Sequence, residues 1–381
     1  MTKANLPIVP PAVIGIIGGG QLGRMMAIAA RQMGYGIAVL EPGANSPTAQ
    51  IADVEINAAY DDKVALEELL FVSDVVTYEF ENIPNAAIKE VVQAGFGYLP
   101  QGHMPLKITQ NRLREKDAAV ACGYGTAPYA DVSTEDKLLD AIEEIGYPSI
   151  LKTVSGGYDG KGQWRLKSKD DLPEALEVIK NAECILEGFV PFDKEISVIV
   201  ARSTTGEVKT FPIFENDHAN GILHLTTIPA DVSDVVADKA RALAADMMAK
   251  LDLVGTLAIE MFVVGEDILV NEMAPRPHNS GHLTIDACNV SQFEQHIRAI
   301  CGLPLIDPVI VHPAVMVNLL GQHADYAVKQ WQTPAYGDGK MHLYGKDEYI
   351  RDRKVGHLTF VNDDAAALKR TVDAFLVDFP E

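Results

Sequence analysis

The first hundred residues alternate short apolar runs with a stretch of helical period. Val13 to Ile17 is a compact apolar run that opens into Gly18-Gly19-Gly20-Gln21-Leu22-Gly23. After it apolar side chains recur on one face, Leu22, Met25, Met26, Ala29, Ala30 and Met33, until Gly34 stops them. A second run, Gly36 to Leu40, closes on Glu41. The order strand, glycine turn, helix, strand, acid predicts a Rossmann-like βαβ unit whose helix N-terminus offers amides to a phosphate, of a dinucleotide or of another small substrate. Val75 to Tyr78 reads as a later strand of that sheet. Glu79 follows it, where open α/β sheets place ligand groups; an exposed loop carboxylate is the competing reading.

From about residue 108 the organisation changes. Asn111 to Lys116 is a charged helical stretch of the kind that ordinarily forms a solvated face. Ser133 with Asp136 is expected to cap a helix carrying Leu138, Leu139, Ile142 and Ile145, stopped by Gly146 and Pro148. A strand, Ser149 to Val154, leads into the loop 155–163 and out through Trp164 to Leu166. Glycines at 156, 157, 160 and 162 exceed what a hairpin needs and suit a backbone that covers a polyphosphate, with Lys152 and Lys161 balancing its charge. A plain surface loop is the alternative, and no Walker A pattern leads into a helix here. Ser168 is expected to cap a helix with Leu172, Leu176 and Ile179, and Cys184 to Leu186 forms a strand running into Glu187-Gly188-Phe189-Val190. Glu195 then opens an alternating strand to Arg202. These strand ends could border a flat heterocycle and a ribose diol. His218, a lone histidine, reads as structural or surface. Residues 233–251 form an amphipathic helix, and Ser291 with Glu294 caps another that ends at Gly302.

Between those helices lies EMFVVGEDILVNEMAPRPHNSGH, residues 260–282. Thr256 to Val264 and Ile268 to Met273 flank the turn residues Gly265-Glu266-Asp267, which predicts a hairpin. A turn centred on Glu266 sets Val264 against Ile268 and Glu260 against Glu272, with apolar Ala258, Phe262 and Val270 on their face. Opposed carboxylates in such a setting repel, and a divalent cation with hard oxygen ligands would relieve them. A shared proton, or a register that sends one glutamate to solvent, would also do so.

Composition narrows the class. The chain has 381 residues, 48% hydrophobic and 22% charged, as in ordinary globular proteins of two or three domains. A net charge of −21 disfavours nucleic acid and anionic membranes as partners, so an anionic ligand needs a local basic cluster. Lys346 and the run Arg351 to His357 form the one dense cluster of that kind. Cys122, Cys184, Cys288 and Cys301 are scattered, and no apolar stretch reaches a spanning length, so a soluble, untargeted protein of the reducing cytoplasm is expected.

Six segments in order, GGGQLGRM (18–25), YEFENIP (78–84), GGYDGKGQW (156–164), ECILEGFVPFDKEIS (183–197), NEMAPRPHNSGH (271–282) and RKVGHL (353–358), resemble the N5-carboxyaminoimidazole ribonucleotide synthetase family. The resemblance implies an α/β chain with an α+β lid: an ATP-grasp fold with a Rossmann-like N-terminal domain on the substrate-phosphate side (1–107), a glycine-loop lid (108–190), and a C-terminal domain with a Mg²⁺ site and a basic tail (191–381). It implies a homodimeric ligase of purine biosynthesis that joins bicarbonate to 5-aminoimidazole ribonucleotide with ATP, through carboxyphosphate. By position, Arg112 and Lys152 resemble contacts to the nucleotide phosphates, and Gly157, Tyr158, Asp159, Gly160, Lys161, Gly162 and Gln163 the phosphate cover. Glu187, Gly188, Phe189 and Val190 resemble the adenine border, Glu195 the ribose ligand, His218 and Asn271 further nucleotide-side contacts, and Glu260 and Glu272 the Mg²⁺ ligands. Ala274 stands where many ATP-grasp enzymes have a metal-binding Asn, so the metal set rests on the two carboxylates with Asn271 nearby. Gln21, Leu22, Glu79, Asn279, Lys346, Arg353 and Lys354 resemble the ribonucleotide site, and on this reading the first glycine motif holds a ribose 5-phosphate rather than NAD. Arg276 and His278 resemble groups that hold bicarbonate or the intermediate; Lys346 joins them as a candidate catalytic group, and His278 and Asp159 as candidate proton acceptors. A formate-dependent glycinamide ribonucleotide transformylase, a non-catalytic nucleotide-binding regulator and an NAD-dependent dehydrogenase are the rival readings.

Overall fold

In the computed structural model, which describes residues 7–157 and 161–380, the N-terminal apolar runs become a parallel sheet. Its strands are β1 (Val13–Ile17), β2 (Gly36–Leu40), β3 (Val54–Ile56) and β4 (Val75–Tyr78), in the order β3-β2-β1-β4. The helical period after the glycine turn becomes α1 (Gln21–Gln32), which buries Leu22, Met25, Met26, Ala29 and Ala30 as expected. Helices α2 (Lys63–Val72) and α3 (Asn85–Ala94) cover the sheet, and α4 (Met104–Thr109) leads to α5 (Arg112–Ala121), capped by Asn111.

A second sheet is antiparallel: β5 (Tyr129–Asp131), β6 (Ser149–Thr153), β7 (Gln163–Leu166) and β8 (Cys184–Gly188), ordered β5-β8-β6-β7. Its helices are α6 (Glu135–Ile145) and α7 (Leu172–Ile179). The cap of α6 is Thr134, whose side chain accepts from the Lys137 amide, and not Ser133, which turns to Asp131 instead. Ser168 does cap as expected, forming a capping box with Asp171 ahead of α7. The glycine loop joins β6 to β7, and Tyr158, Asp159 and Gly160 of that loop lie outside the described residues.

The third sheet is the largest. It holds β9 (Lys194–Arg202), β10 (Val208–Thr210), β11 (Phe214–Ala219), β12 (Ile222–Ile228), β13 (Gly255–Val264) and β14 (Asp267–Ala274), with α8 (Asp234–Lys250) packed on β9. After α9 (Thr284–Ala287) and α10 (Gln292–Ile300) come β15 (Ala314–Leu320), α11 (Ala324–Trp331), β16 (Lys340–Leu343), β17 (Lys354–Val361) and α12 (Ala365–Leu376). The strand path is β14-β13-β9-β11-β12-β15-β17-β16, with β10 on β9. Leu257, Ile259 and Met261 pack with Val198 and Val200 against Met247 of α8, while Ile199 and Ala258 on the opposite face pack with Phe214 and Leu283, so apolar burial anchors both faces of these strands.

The β13–β14 hairpin does set Glu260 against Glu272, but by a different route from the one expected. Its turn is one residue tighter: Val264 faces Asp267, Val263 faces Ile268, and Met261 faces Val270. Asn271 is then an extra residue, a β-bulge that restores the glutamate pair. The same correction moves Val270 off the glutamates' face, and Leu269 takes its place opposite Phe262. Two interactions from α5 hold the bulge, Lys116 Nζ donating to the Asn271 carbonyl at 2.9 Å and the Met273 amide donating to Glu115. Glu115 and Lys116 are each 2% exposed, so this stretch is not the solvated face its charges suggest.

Candidate active site

Where the three sheets face one another they enclose a cleft of about 450 Å³. From α5 and the second sheet come Arg112, Lys152, Gly157 and Gln163; from the large sheet Glu195, His218, Glu260, Asn271 and Glu272. The segment after β14 adds Arg276, His278 and Asn279, α1 adds Gln21 and Leu22, and Glu79 and Lys354 come from the ends of their strands. A second recess of about 560 Å³ shares Gln21, Glu79 and Phe80 with the first and brings in Lys346 and Arg353. Most predicted site residues therefore converge. Lys161, Gly162, Glu187, Gly188, Phe189 and Val190 stand outside these two recesses.

The acidic side of the cleft is crowded. Glu195, His218 and Glu260 each offer a ligand atom, and those atoms lie within 4.8 Å of one another. His218 Nδ1 is 3.3 Å from Glu195 and lines the cleft, an exposed residue, as its isolation suggested, whose ring turns inward; partial burial of the ring opposes its charge, but Glu195 outweighs burial and raises its pKa. Burial first, then Glu195 and Glu272, push Glu260 up to about 8. Glu272 is the more exposed of the opposed pair and is 3.3 Å from Arg112. A flat apolar wall adjoins them, the rings of Phe192 and Phe262 stacked at 4.5 Å and 4°. Among the described residues one other donor group could be taken for a metal site, Asp286, His342 and His357. Its two imidazoles lie face to face at 4.5 Å and 15°, so their in-plane lone pairs do not meet at one ion.

Cations stand opposite. Lys152 lies 2.8 Å and Lys116 3.6 Å from Glu187, whose carboxyl they hold below its usual range even though burial works the other way. The Glu187 side chain is thus an internal counterion. The Gly188 and Phe189 amides donate to the Pro128 and Pro148 carbonyls, so neither is held out to a ligand. Arg276 forms a two-pronged pair with Glu81 at 2.5 and 3.0 Å; neither Glu81 nor Lys116 stands out in the sequence as a site residue. Burial, then Arg276 and Lys354, keep His278 well below its usual pKa and neutral. Asn279 is 8% exposed, and neither atom of its amide has a partner within the protein. That is a costly state unless a ligand completes it.

The glycine motif needs correction. Glu79 is 7% exposed, not a loop carboxylate in solvent, and its two oxygens accept the Gly20 and Gly23 amides at 2.5 and 2.6 Å. Glu41 accepts the Gly19 amide at 2.7 Å. These three amides are therefore bound by the protein's own carboxylates and are not offered to a phosphate. A Cβ on Gly20 would sit 2.6 Å from Glu79 Oε1, so a larger residue here would push the carboxylate aside. Burial lifts Glu79 to about 7 despite those amides, and the cations Lys346, whose ammonium donates to the Lys354 carbonyl, and Arg353 line the second recess.

Comparison with known proteins bears on the whole length of the chain. A model described as the ribonucleotide synthetase preATP-grasp domain matches residues 12–110, the ATP-grasp domain matches 117–293, and the phosphoribosylaminoimidazole carboxylase C-terminal domain matches 314–371. The chain is 49% identical over 355 residues to the N5-carboxyaminoimidazole ribonucleotide synthase of Bacillus subtilis, covering 93% of this chain and 92% of that one. A crystal structure of an N5-carboxyaminoimidazole ribonucleotide synthetase with ADP superposes with a TM-score of 0.94 at 50% identity, over 97% of this chain and 98% of that one. The Aspergillus clavatus N5-carboxyaminoimidazole synthase with ADP and 5-aminoimidazole ribonucleotide gives 0.89 at 32% identity, over 96% and 97%. With an ATP-grasp domain set between those two flanking domains, the chain is an ATP-grasp ligase and belongs to the N5-carboxyaminoimidazole ribonucleotide synthase family.

Proposed function

We propose that the chain carboxylates 5-aminoimidazole ribonucleotide with bicarbonate, converting ATP to ADP and phosphate and yielding N5-carboxyaminoimidazole ribonucleotide for purine biosynthesis. The observation that carries this reading is the pair of joined recesses, one with Lys152, Arg112 and the acidic hairpin, the other with Lys346 and Arg353, sharing Gln21, Glu79 and Phe80. Such a pair suits a triphosphate and a second anionic substrate brought together.

Bicarbonate is a poor electrophile, so the first step transfers the γ-phosphoryl group to one of its oxygens, with ADP leaving and carboxyphosphate formed. The exocyclic amine of the ribonucleotide then attacks the carbonyl carbon, directly or after CO₂ is released; phosphate leaves and the amine loses a proton. Arg112, Lys152 and Arg276 stabilise the charge in flight. The loop 157–163, with Tyr158, Asp159 and Gly160, covers the phosphates, and Glu187 to Val190, Glu195, His218 and Asn271 surround the nucleoside. Gln21, Leu22, Glu79, Asn279, Lys346, Arg353 and Lys354 take the ribonucleotide; the unpartnered Asn279 amide supports this. Arg276 and His278 hold bicarbonate or carboxyphosphate, with Lys346 beside them, and closure of the glycine loop excludes water.

Mg²⁺ fits Glu260 and Glu272: burial, then Glu195 and Glu272, lift Glu260 to about 8, and a hard divalent cation would relieve that crowding of carboxylates. Bound there, it would neutralise charge on the triphosphate. The domain division at 107 and 190 is supported by one sheet in each piece, within 13–78, 129–188 and 194–361. A cytoplasmic homodimer completes the reading, supported by four unbridged cysteines and by the exposed apolar residues Val64 and Phe71 of α2.

The test is phosphate release with ATP, bicarbonate and the ribonucleotide each omitted in turn, and with formate and glycinamide ribonucleotide substituted. Full release should require all three. Release that needs formate would transfer the reading to the transformylase, and nucleotide binding with no release would transfer it to a regulator.

A further inference from the structure

His278 has two different neighbours on its two ring nitrogens. Nδ1 is 2.9 Å from the Ser280 hydroxyl and also accepts the Ser280 amide at 3.3 Å. Nε2 faces Glu260 Oε1 at 3.5 Å. Behind Ser280 runs a buried polar chain that the reaction above does not use. The Ser197 hydroxyl lies 2.8 Å from that of Ser280, the Asn216 Nδ2 donates to Ser197 Oγ at 3.0 Å, and the Thr226 hydroxyl donates to Asn216 Oδ1 at 3.2 Å. Ser280, Ser197 and Thr226 are 0% exposed and Asn216 is 4%. The members come from β9, β11, β12 and the turn after β14, so the large sheet itself sets their spacing.

The direction of this chain can be read from both ends. An amide nitrogen only donates, so Ser197 Oγ accepts from Asn216 and has its own proton to give to Ser280, which leaves the Ser280 proton for His278; this end favours the direction that the Ser280 amide fixes. From the other end, the Ser280 backbone N–H only donates, so Nδ1 is an acceptor, which leaves the Ser280 hydroxyl donating to it and accepting from Ser197. Both directions of reasoning give the same polarity. With two donors aimed at Nδ1, the proton of the neutral ring belongs on Nε2.

We propose that Asn216, Ser197 and Ser280 are positioning residues that hold His278 in its Nε2–H tautomer, making it a hydrogen-bond donor into the cleft on the Glu260 side rather than a proton acceptor. The catalytic relevance rests on the role given to His278 in the function proposed above; the tautomer does not. Of the two candidate proton acceptors, this removes His278. A donor at that point suits an oxygen of bicarbonate or carboxyphosphate, which gains charge during transfer.

The test uses the full chain labelled with ¹⁵N-histidine, with His278 assigned by loss of its signal in His278→Gln. Long-range ¹H–¹⁵N spectra should give Nδ1 the shift of an unprotonated nitrogen and Nε2 that of a protonated one. Asn216→Asp replaces the fixed donor by an acceptor of the same shape, so the hydroxyl chain can reverse, leaving only the longer 3.3 Å contact from the Ser280 amide to favour Nε2–H, and a share of the Nδ1–H form should appear. Ser280→Ala, which removes the hydroxyl next to the ring, should give a mixture and is read instead if the aspartate variant does not fold. In both, kcat should fall about 10-fold, as for a donor turned away, while KM for ATP moves less than about 2-fold. An Nδ1–H ring in the unmodified protein, or an unchanged Nε2–H ring in both variants, overturns the proposal. Because the spectra need no substrate, an inactive protein with an Nε2–H ring would sink the proposed reaction and leave the relay standing.

Discussion

Two glutamates at different places in the same cleft, Glu79 buried and Glu260 partly so, have opposite kinds of neighbour. Glu79 receives two backbone amides at the start of α1, and Glu260 faces two more carboxylates and a histidine. Burial raises both, Glu79 to about 7 and Glu260 to about 8. Fixed dipoles inside the protein partly stabilise the first, while the second is left in a conflict that a retained proton or a bound cation relieves. The difference separates a carboxylate that shapes a site from one that waits for a ligand.

The sharpest way to break this contrast is Glu272→Gln. If the hairpin acids act together on the triphosphate, ATP turnover in the presence of both other substrates should fall by about 10³-fold with the fold intact by circular dichroism. Turnover near that of the unmodified enzyme would remove the metal assignment.

Next in size is a pH effect at Glu79. Its folded pKa lies above the ordinary 4.5, so the folded state keeps a proton the unfolded chain has lost, and stability falls as pH rises from 4.5 through about 7. The fall should amount to roughly 3 kcal/mol, at 1.36 kcal/mol per unit. Urea unfolding of Glu79→Gln across that range should lack this component, and an identical slope in both proteins would show that Glu79 is ionised throughout.

Gly20→Ala should act more mildly. Its Cβ would press on the Glu79 carboxylate, so the ribonucleotide KM should rise about 10-fold with the ATP KM unchanged, the signature of lost binding at one recess only. An equal rise in both would mean that the two recesses are not separate. The smallest effect is thermal. Saturating Mg²⁺ without nucleotide should raise the melting temperature by about 2 °C, and chelation should reverse it. Glu260→Gln should abolish the response and Glu79→Gln should keep it.

Local periodicity made part of this legible. The β1–α1–β2 unit follows from a short apolar run, a glycine turn and one apolar helical face, and the opposition of Glu260 and Glu272 follows from strand period and turn position. That pairing survived an error in the turn because the Asn271 bulge added back the residue the tighter turn removed. A bulge leaves little trace in a polar residue ahead of a glutamate. The charges of α5 misled for a related reason: Glu115 and Lys116 are buried only because β14 and Glu187, distant in sequence, close over them. Likewise the basic run ending at His357 hid a strand. β17 begins at Lys354, and His357 within it is fully buried against Tyr344 and His342. Glu81 had one available clue, since a buried arginine such as Arg276 needs a counterion, but a sequence does not say which acid supplies it.

Lys116 touches two things at once, the carbonyl of Asn271 in the hairpin and the carboxylate of Glu187 in the smaller antiparallel sheet. Its ammonium therefore pins the root of that sheet to the acidic strands, in a dry spot where separating the charges is expensive. Any hinge that swings the whole sheet outward would strip this contact, so the strand that carries Glu187 should hold still during nucleotide exchange.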